Sequence, residues 1–78
     1  MRVITLNVNG IRSAASKGLF PWLAQQEADV ICLQEVRAHE HQLTGHDVEL
    51  PGYHVAWHPA ERPGYAGVAL YSREAPQR

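Results

Sequence analysis

Residues 2 to 8, RVITLNV, set Ile4, Leu6 and Val8 at alternating positions of a β-branched run, which predicts a strand. Asn9-Gly10 follows as a turn signal. It is not a tight hairpin turn, because the next apolar positions (Ala15, Leu19, Trp22 and Leu23) recur at helical spacing. Pro21 is tolerated in a first helical turn, so the regular helix is placed at Phe20 to Glu27. Val30 to Gln34 is a second strand, apolar on both faces, as expected inside a covered parallel sheet. Strand, helix, strand predicts a right-handed crossover and an α/β class. Residues 38 to 50 lack periodicity and read as a loop with a helical turn. After the Pro51-Gly52 turn, Tyr53 to His58 and Tyr65 to Ser72 are two further strands. PAERPG joins them with a loop of hairpin length or slightly more.

Composition narrows the class. A chain of 78 residues is at most one small domain and buries only about 60% of its unfolded surface. Its single cysteine, Cys32, excludes an internal disulfide, and its place in an apolar run suits a small packed hydrophobe in a reducing compartment. A net charge of -1 argues against a dedicated nucleic-acid binder, which is typically basic. No stretch approaches the roughly 18 apolar residues of a membrane helix. The opening run breaks at Asn7, so it is not a signal peptide. The expectation is a cytoplasmic protein that does not engage a membrane.

The second strand ends on Gln34 and Glu35, with Arg37 just beyond. If the first two strands are parallel, Asn7 and Glu35 stand at the same edge of the sheet, outside the carboxyl ends where α/β sheets bind ligands. A carboxylate and an amide there are hard oxygen donors suited to Mg²⁺, completed by waters and phosphate oxygens. Arg12 and Arg37 follow the same strand ends and are candidate phosphate contacts, Arg37 with the geometry for a bidentate one. The bland alternative is a polar strand terminus, with a solvated Glu35 and Asn7 making a local turn.

ADVICLQEVR resembles the signature of the exonuclease III and apurinic/apyrimidinic (AP) endonuclease family: a small residue, Asp, apolar residues, Gln-Glu, then a basic residue. MRVITLNVNGIRSA resembles that family's opening strand and turn, and GYAGVALYS a third block, a strand near the site that begins with glycines. Three blocks in order span nearly the whole chain. The resemblance implies part of a four-layer α/β sandwich with two facing sheets, residues 1 to 78 forming a partial domain at its N-terminal end. It implies a phosphodiesterase dependent on Mg²⁺ or Mn²⁺, with Glu35 as the metal-binding glutamate and Asn7 beside the metal and the scissile phosphate. The implied substrate is double-stranded DNA with AP sites or 3′ ends, cleaved by an enzyme that is monomeric at full length. The family's catalytic tyrosine, leaving-group aspartate, second Asp-Asn pair and C-terminal Asp-His pair lie beyond residue 78. Tyr53, Tyr65 and Tyr71 all precede the place of that tyrosine. The piece alone is therefore expected to be inactive.

Other constellations carry less. His39, His41 and His46 lack zinc spacing, and His54 and His58 fall in one strand, four apart, where they are separated by about 13 Å. Gly64 and Gly67 are wrongly spaced for a phosphate-cradling loop. Asp29 reads as a turn or cap residue, and Trp22 and Trp57 as core. Ser13, Ser16 and Ser72 have no base partner for nucleophilic catalysis. An apolar face around Val55, Trp57, Val68 and Leu70 is expected to lie open in this chain. Two competing readings remain: a related phosphodiesterase acting on another phosphate substrate, and a small non-catalytic α/β binding domain.

Overall fold

The computed structural model describes residues 1–38, 40–43, 48–59 and 66–73. Strands β1 (Val3–Asn7) and β2 (Val30–Gln34) are joined through helices α1 (Ile11–Ser16) and α2 (Leu19–Gln25). A 3-10 turn at Glu40–Leu43 precedes β3 (His54–Pro59) and β4 (Gly67–Ser72). The strands form one mixed sheet in the order β1-β2-β4-β3. β1 and β2 are parallel, Val3 opposite Val30 and Asn7 opposite Gln34. β4 lies antiparallel to both β2 and β3, so the hairpin folds back and inserts its second strand at the centre.

The helical region differs from the single helix expected at Phe20 to Glu27. Asn9 and Gly10, at φ 47° and 101°, turn the chain out of β1 and straight into α1. The turn points Ile11 into the core with no exposed surface, while the rest of α1 is polar or small, which hid it from periodicity. Gly18, at φ 92°, breaks the path and starts α2. Pro21 sits in the first turn, where its missing N–H costs no helical hydrogen bond. Glu27 adopts φ 53° and ends the helix. α2 turns Phe20 and Leu23 inward, which leaves Trp22 49% exposed. Trp22 is thus not a core residue: it points away from the sheet.

The core lies on one face of the sheet. Ile31 and Leu33 of β2 and Ala69 and Tyr71 of β4 are buried there against Ile11, Phe20 and Leu23. Each such aliphatic or aromatic side chain contributes about 1.5–3 kcal/mol on full burial. Phe20 and Trp57 both tilt against the Tyr71 ring, with centroids 5.7 and 6.0 Å away. The segment expected as a loop packs its apolar residues, Ala38, Leu43, Val48 and Leu50, onto the same core. Tyr71 ties it down, its hydroxyl donating to the Val48 carbonyl at 2.7 Å. At the opposite end of the strands, Asp29 accepts the backbone N–H of Arg2 at 2.7 Å. Tyr53 donates to the Ala28 carbonyl at 2.5 Å, and Arg73 donates to the Tyr53 hydroxyl at 3.3 Å.

The open apolar face is only partly the one expected: it carries Val68 and Leu70, while Val55, though 43% exposed, and Trp57 belong to the other face. Cross-strand partners share a face of a sheet. Val55 and Trp57 pair with Tyr71 and Ala69, so they lie on the core side. Val68 and Leu70 pair with Gln34 and Cys32, on the other side. Over that second face, with Val3, Val30, Cys32, Val68 and Leu70, no helix lies among the described residues, and Val3 is 54% exposed. β2 is therefore apolar on both faces, while the described residues place helices over only one. Among the described residues no helix is long and apolar enough to cross a membrane.

Candidate functional site

The backbone ladder between β1 and β2 continues past the last paired residues. The Val8 N–H donates to the Gln34 carbonyl at 3.0 Å, Gly10 to Glu35 at 2.9 Å, and Ile11 to Val36 at 2.9 Å. On its other side the Val36 N–H donates to the Gly67 carbonyl at 3.1 Å. Val36 thus has both backbone groups bonded and its side chain 1% exposed. It pins the tip of β2.

Either side of this pin the chain is left-handed, at φ 53° for Glu35 and 57° for Arg37. Non-glycine residues adopt that region at a cost, and such positions gather at functional sites. The result is that the Glu35 and Arg37 side chains emerge together, with Arg37 Nη2 2.7 Å from Glu35 Oε1. The pair is accessible, Arg37 46% and Glu35 36% exposed.

Asn7, at the end of β1, closes the arrangement. Its Oδ1 accepts the Asn9 N–H at 2.9 Å, and its Nδ2 donates to Glu35 Oε2. The opposite amide orientation would set two donors against each other and two acceptors against each other, so these partners fix it. The Asn7 hydrogen bond is the main reason the Glu35 carboxyl titrates below its usual range; desolvation opposes it, and the Arg37 hydrogen bond and charge add to the lowering. Glu35 is therefore held ionised.

Of the four residues singled out from the sequence, the fold brings three into direct contact: Asn7, Glu35 and Arg37. Arg12 is exposed on α1, and among the described residues its side chain makes no ion pair or hydrogen bond. Asn9 and Val36 were not singled out, and Gly67 only as the start of a strand near the site, although all three fix its geometry. The Asn-Gly pair signalled only a turn. A β-branched apolar residue between Glu and Arg was the available sign of Val36 as a buried pin. His54 and His58 lie along β3, and His39 and His46 lie outside the described residues, as does the His41 side chain. Cys32 is a free, half-buried thiol on the open face.

Among the described residues no three histidine, cysteine or acidic side chains gather around a common point. The donor set fits a hard dication that takes one protein carboxylate and keeps its waters, as Mg²⁺ does. Glu35 offers that carboxylate. Asn7 Oδ1 accepts one hydrogen bond from Asn9 and keeps a second lone pair, while its Nδ2 orients Glu35.

Known proteins share this layout. The sequence profile of the Endonuclease/Exonuclease/phosphatase family matches residues 4–78. An exodeoxyribonuclease of Bacillus subtilis (strain 168) is 39% identical over 77 residues, covering 97% of this chain and 29% of that protein. The DNA repair nuclease APEX1 of Danio rerio is 32% identical over 78 residues, 25% of its length. The structure of an AP endonuclease from Archaeoglobus fulgidus superposes with a TM-score of 0.74 at 32% identity, over 99% of this chain and 29% of that one. The chain thus spans less than a third of the relatives it matches, and its sheet and helices correspond to part of theirs. With the family profile covering all but the first three residues, this chain belongs to the Endonuclease/Exonuclease/phosphatase family, among the homologues of exonuclease III and the AP endonucleases.

Proposed function

We propose that this chain forms the N-terminal part of a DNA-repair phosphodiesterase dependent on Mg²⁺ or Mn²⁺, cleaving double-stranded DNA at AP sites and from 3′ ends. The observation that carries the reading is the ionised Glu35, clamped between the Asn7 amide and Arg37 at the carboxyl ends of two parallel strands. The likeness to an exodeoxyribonuclease and to AP endonucleases supplies the substrate class.

Glu35 would hold the cation, and a bound dication supplies charge stabilisation at phosphate oxygens. Asn7 fixes the direction of the carboxylate and stands beside the phosphate. Arg12 and Arg37 bind phosphate oxygens and orient the strand; such positioning lowers the barrier without any proton moving. The groups that activate water and protonate the leaving oxygen belong to parts of the relatives that these 78 residues do not align with. The whole enzyme is a monomeric, cytoplasmic four-layer α/β sandwich, and the open face of this sheet packs inside it. The 78 residues alone are inactive.

A chimera tests this. Residues 1–78 replace the matching segment of the Bacillus subtilis exodeoxyribonuclease, and cleavage of an AP-site duplex and of a recessed 3′ end is followed with Mg²⁺. The chimera should cut both. Glu35→Gln should lose cleavage while keeping its melting temperature, and Asn7→Ala should lower kcat more than it raises KM. A folded chimera with full activity after Glu35→Gln would overturn the assignment.

A further inference from the structure

Both oxygens of the Glu35 carboxylate are occupied by donors of this chain, and the two donors are held very differently. The Asn7 amide is locked by Asn9 at the end of β1. The Arg37 guanidinium ends a long, 46% exposed side chain, and among the described residues its bond to Glu35 is the one interaction it makes. An exposed pair of this kind is weak and screened by salt. A cation approaching Oε1 meets a positive group that can leave at little cost.

We infer that Arg37 is an exchangeable occupant of Glu35: a divalent cation at the carboxylate displaces the guanidinium from Oε1, and the released guanidinium binds a phosphodiester oxygen. The inference rests on the reading of Glu35 as the cation's carboxylate. The backbone does not have to move, because the Val36 N–H and carbonyl stay bonded to Gly67 and Ile11. Only side-chain torsions change. A planar guanidinium suits a phosphate as well as a carboxylate, so it exchanges one bidentate-capable anion for another. Cation and phosphodiester then bind with positive coupling, each strengthening the other by the same factor. Without substrate, the pair holds the carboxylate in place.

The test uses the 78-residue chain, dilute enough to be monomeric, with Mg²⁺ alone, Mn²⁺ alone and dimethyl phosphate as probes. Mn²⁺ should broaden the NMR signals of Glu35 first. On MgCl₂ addition, the Arg37 Nε–H signal should leave its ion-paired position in step with the Glu35 Cδ signal. Arg37→Gln should bind Mg²⁺ roughly two- to fivefold more tightly, the range expected for losing one exposed competing pair. Arg12→Gln removes the same charge from a residue that pairs with nothing described, and should change Mg²⁺ affinity less. Saturating Mg²⁺ should strengthen dimethyl phosphate binding in the parent chain, less so in Arg37→Gln, with Arg37→Lys between them. An Arg37 signal that stays put while Glu35 responds would overturn the exchange and leave Glu35 as the cation's ligand. Equal tightening by Arg12→Gln and Arg37→Gln would reduce the effect to general charge and also overturn it. No broadening at Glu35 would overturn both readings.

Discussion

Asn7 and Glu35, 28 residues apart in sequence, meet where two neighbouring parallel strands end, and the Asn7 amide donates to the Glu35 carboxylate. That hydrogen bond favours the ionised acid. Removing the donor in Asn7→Ala should move the Glu35 carboxyl up toward its ordinary value of 4.5. The linkage has a definite sign: a depressed folded pKa contributes stability above the unfolded value and loses it as pH falls through the folded one. The parent chain should therefore keep this small contribution at neutral pH and shed it below about pH 4.5. A pH titration of the Glu35 Cδ signal in both chains is the check. Superimposable curves would mean the amide does not orient the acid.

Tyr71 gives the opposite case. Burial raises its phenol well above the ordinary 10.0, while its hydroxyl donates to the Val48 carbonyl. A raised folded pKa contributes stability below the unfolded value, so the chain should begin to lose stability above about pH 10, where only the unfolded phenol ionises. Tyr71→Phe should cost about 1 kcal/mol at neutral pH and flatten the alkaline loss. Denaturant melts at neutral and alkaline pH measure both. A steep alkaline loss that persists in Tyr71→Phe would assign it elsewhere.

Val36 links the core to the site. Val36→Ala should cost about 2 kcal/mol through lost burial. It should also loosen the left-handed residues on either side, lowering Mg²⁺ affinity even in molecules that remain folded. Val36→Ile keeps the packing and should restore affinity. Magnesium titrations of folded protein, alongside melts, separate the two effects; unchanged affinity in Val36→Ala would confine the residue to packing.

The open face of the sheet sets how the chain behaves in isolation. Val3, Val30, Cys32, Val68 and Leu70 lie on it, and among the described residues β1 and β3 are the unpaired edges of the sheet. Uncovered apolar patches and edge strands promote association. As concentration rises, the 78-residue chain should self-associate and unfold with low cooperativity. Sedimentation velocity across a concentration series, with a thermal melt, measures this. A monomer at every concentration with a sharp, reversible transition would favour the self-sufficient binding domain over part of an enzyme.

Much of the local structure was legible in the chain. Alternation gave β1, the apolar run gave β2, and the abrupt change to Gln34-Glu35 marked the tip that carries the site. The two later strands followed from β-branched and aromatic runs between turn signals, with ends displaced by one or two residues. These features are local, because a side-chain period of two or of 3.6 is written into neighbouring residues. α1 was missed for the same reason. It buries Ile11 alone and owes its start to the Asn9-Gly10 turn, so it carries no stripe to detect.

Tertiary structure decided which strands touch. Periodicity assigns residues to the two faces of a strand, but pairing depends on contacts between distant segments. Placing β4 beside β2 put Val55 and Trp57 on the core side and Val68 and Leu70 on the open side. It also brought the Gly67 carbonyl to the Val36 N–H, so that a residue with no chemistry of its own holds Glu35. The sequence supplied the carboxylate, the amide and the guanidinium. Their meeting depends on a register between β1 and β2 and on left-handed turns at Glu35 and Arg37, which only the closed backbone ladder makes affordable in free energy.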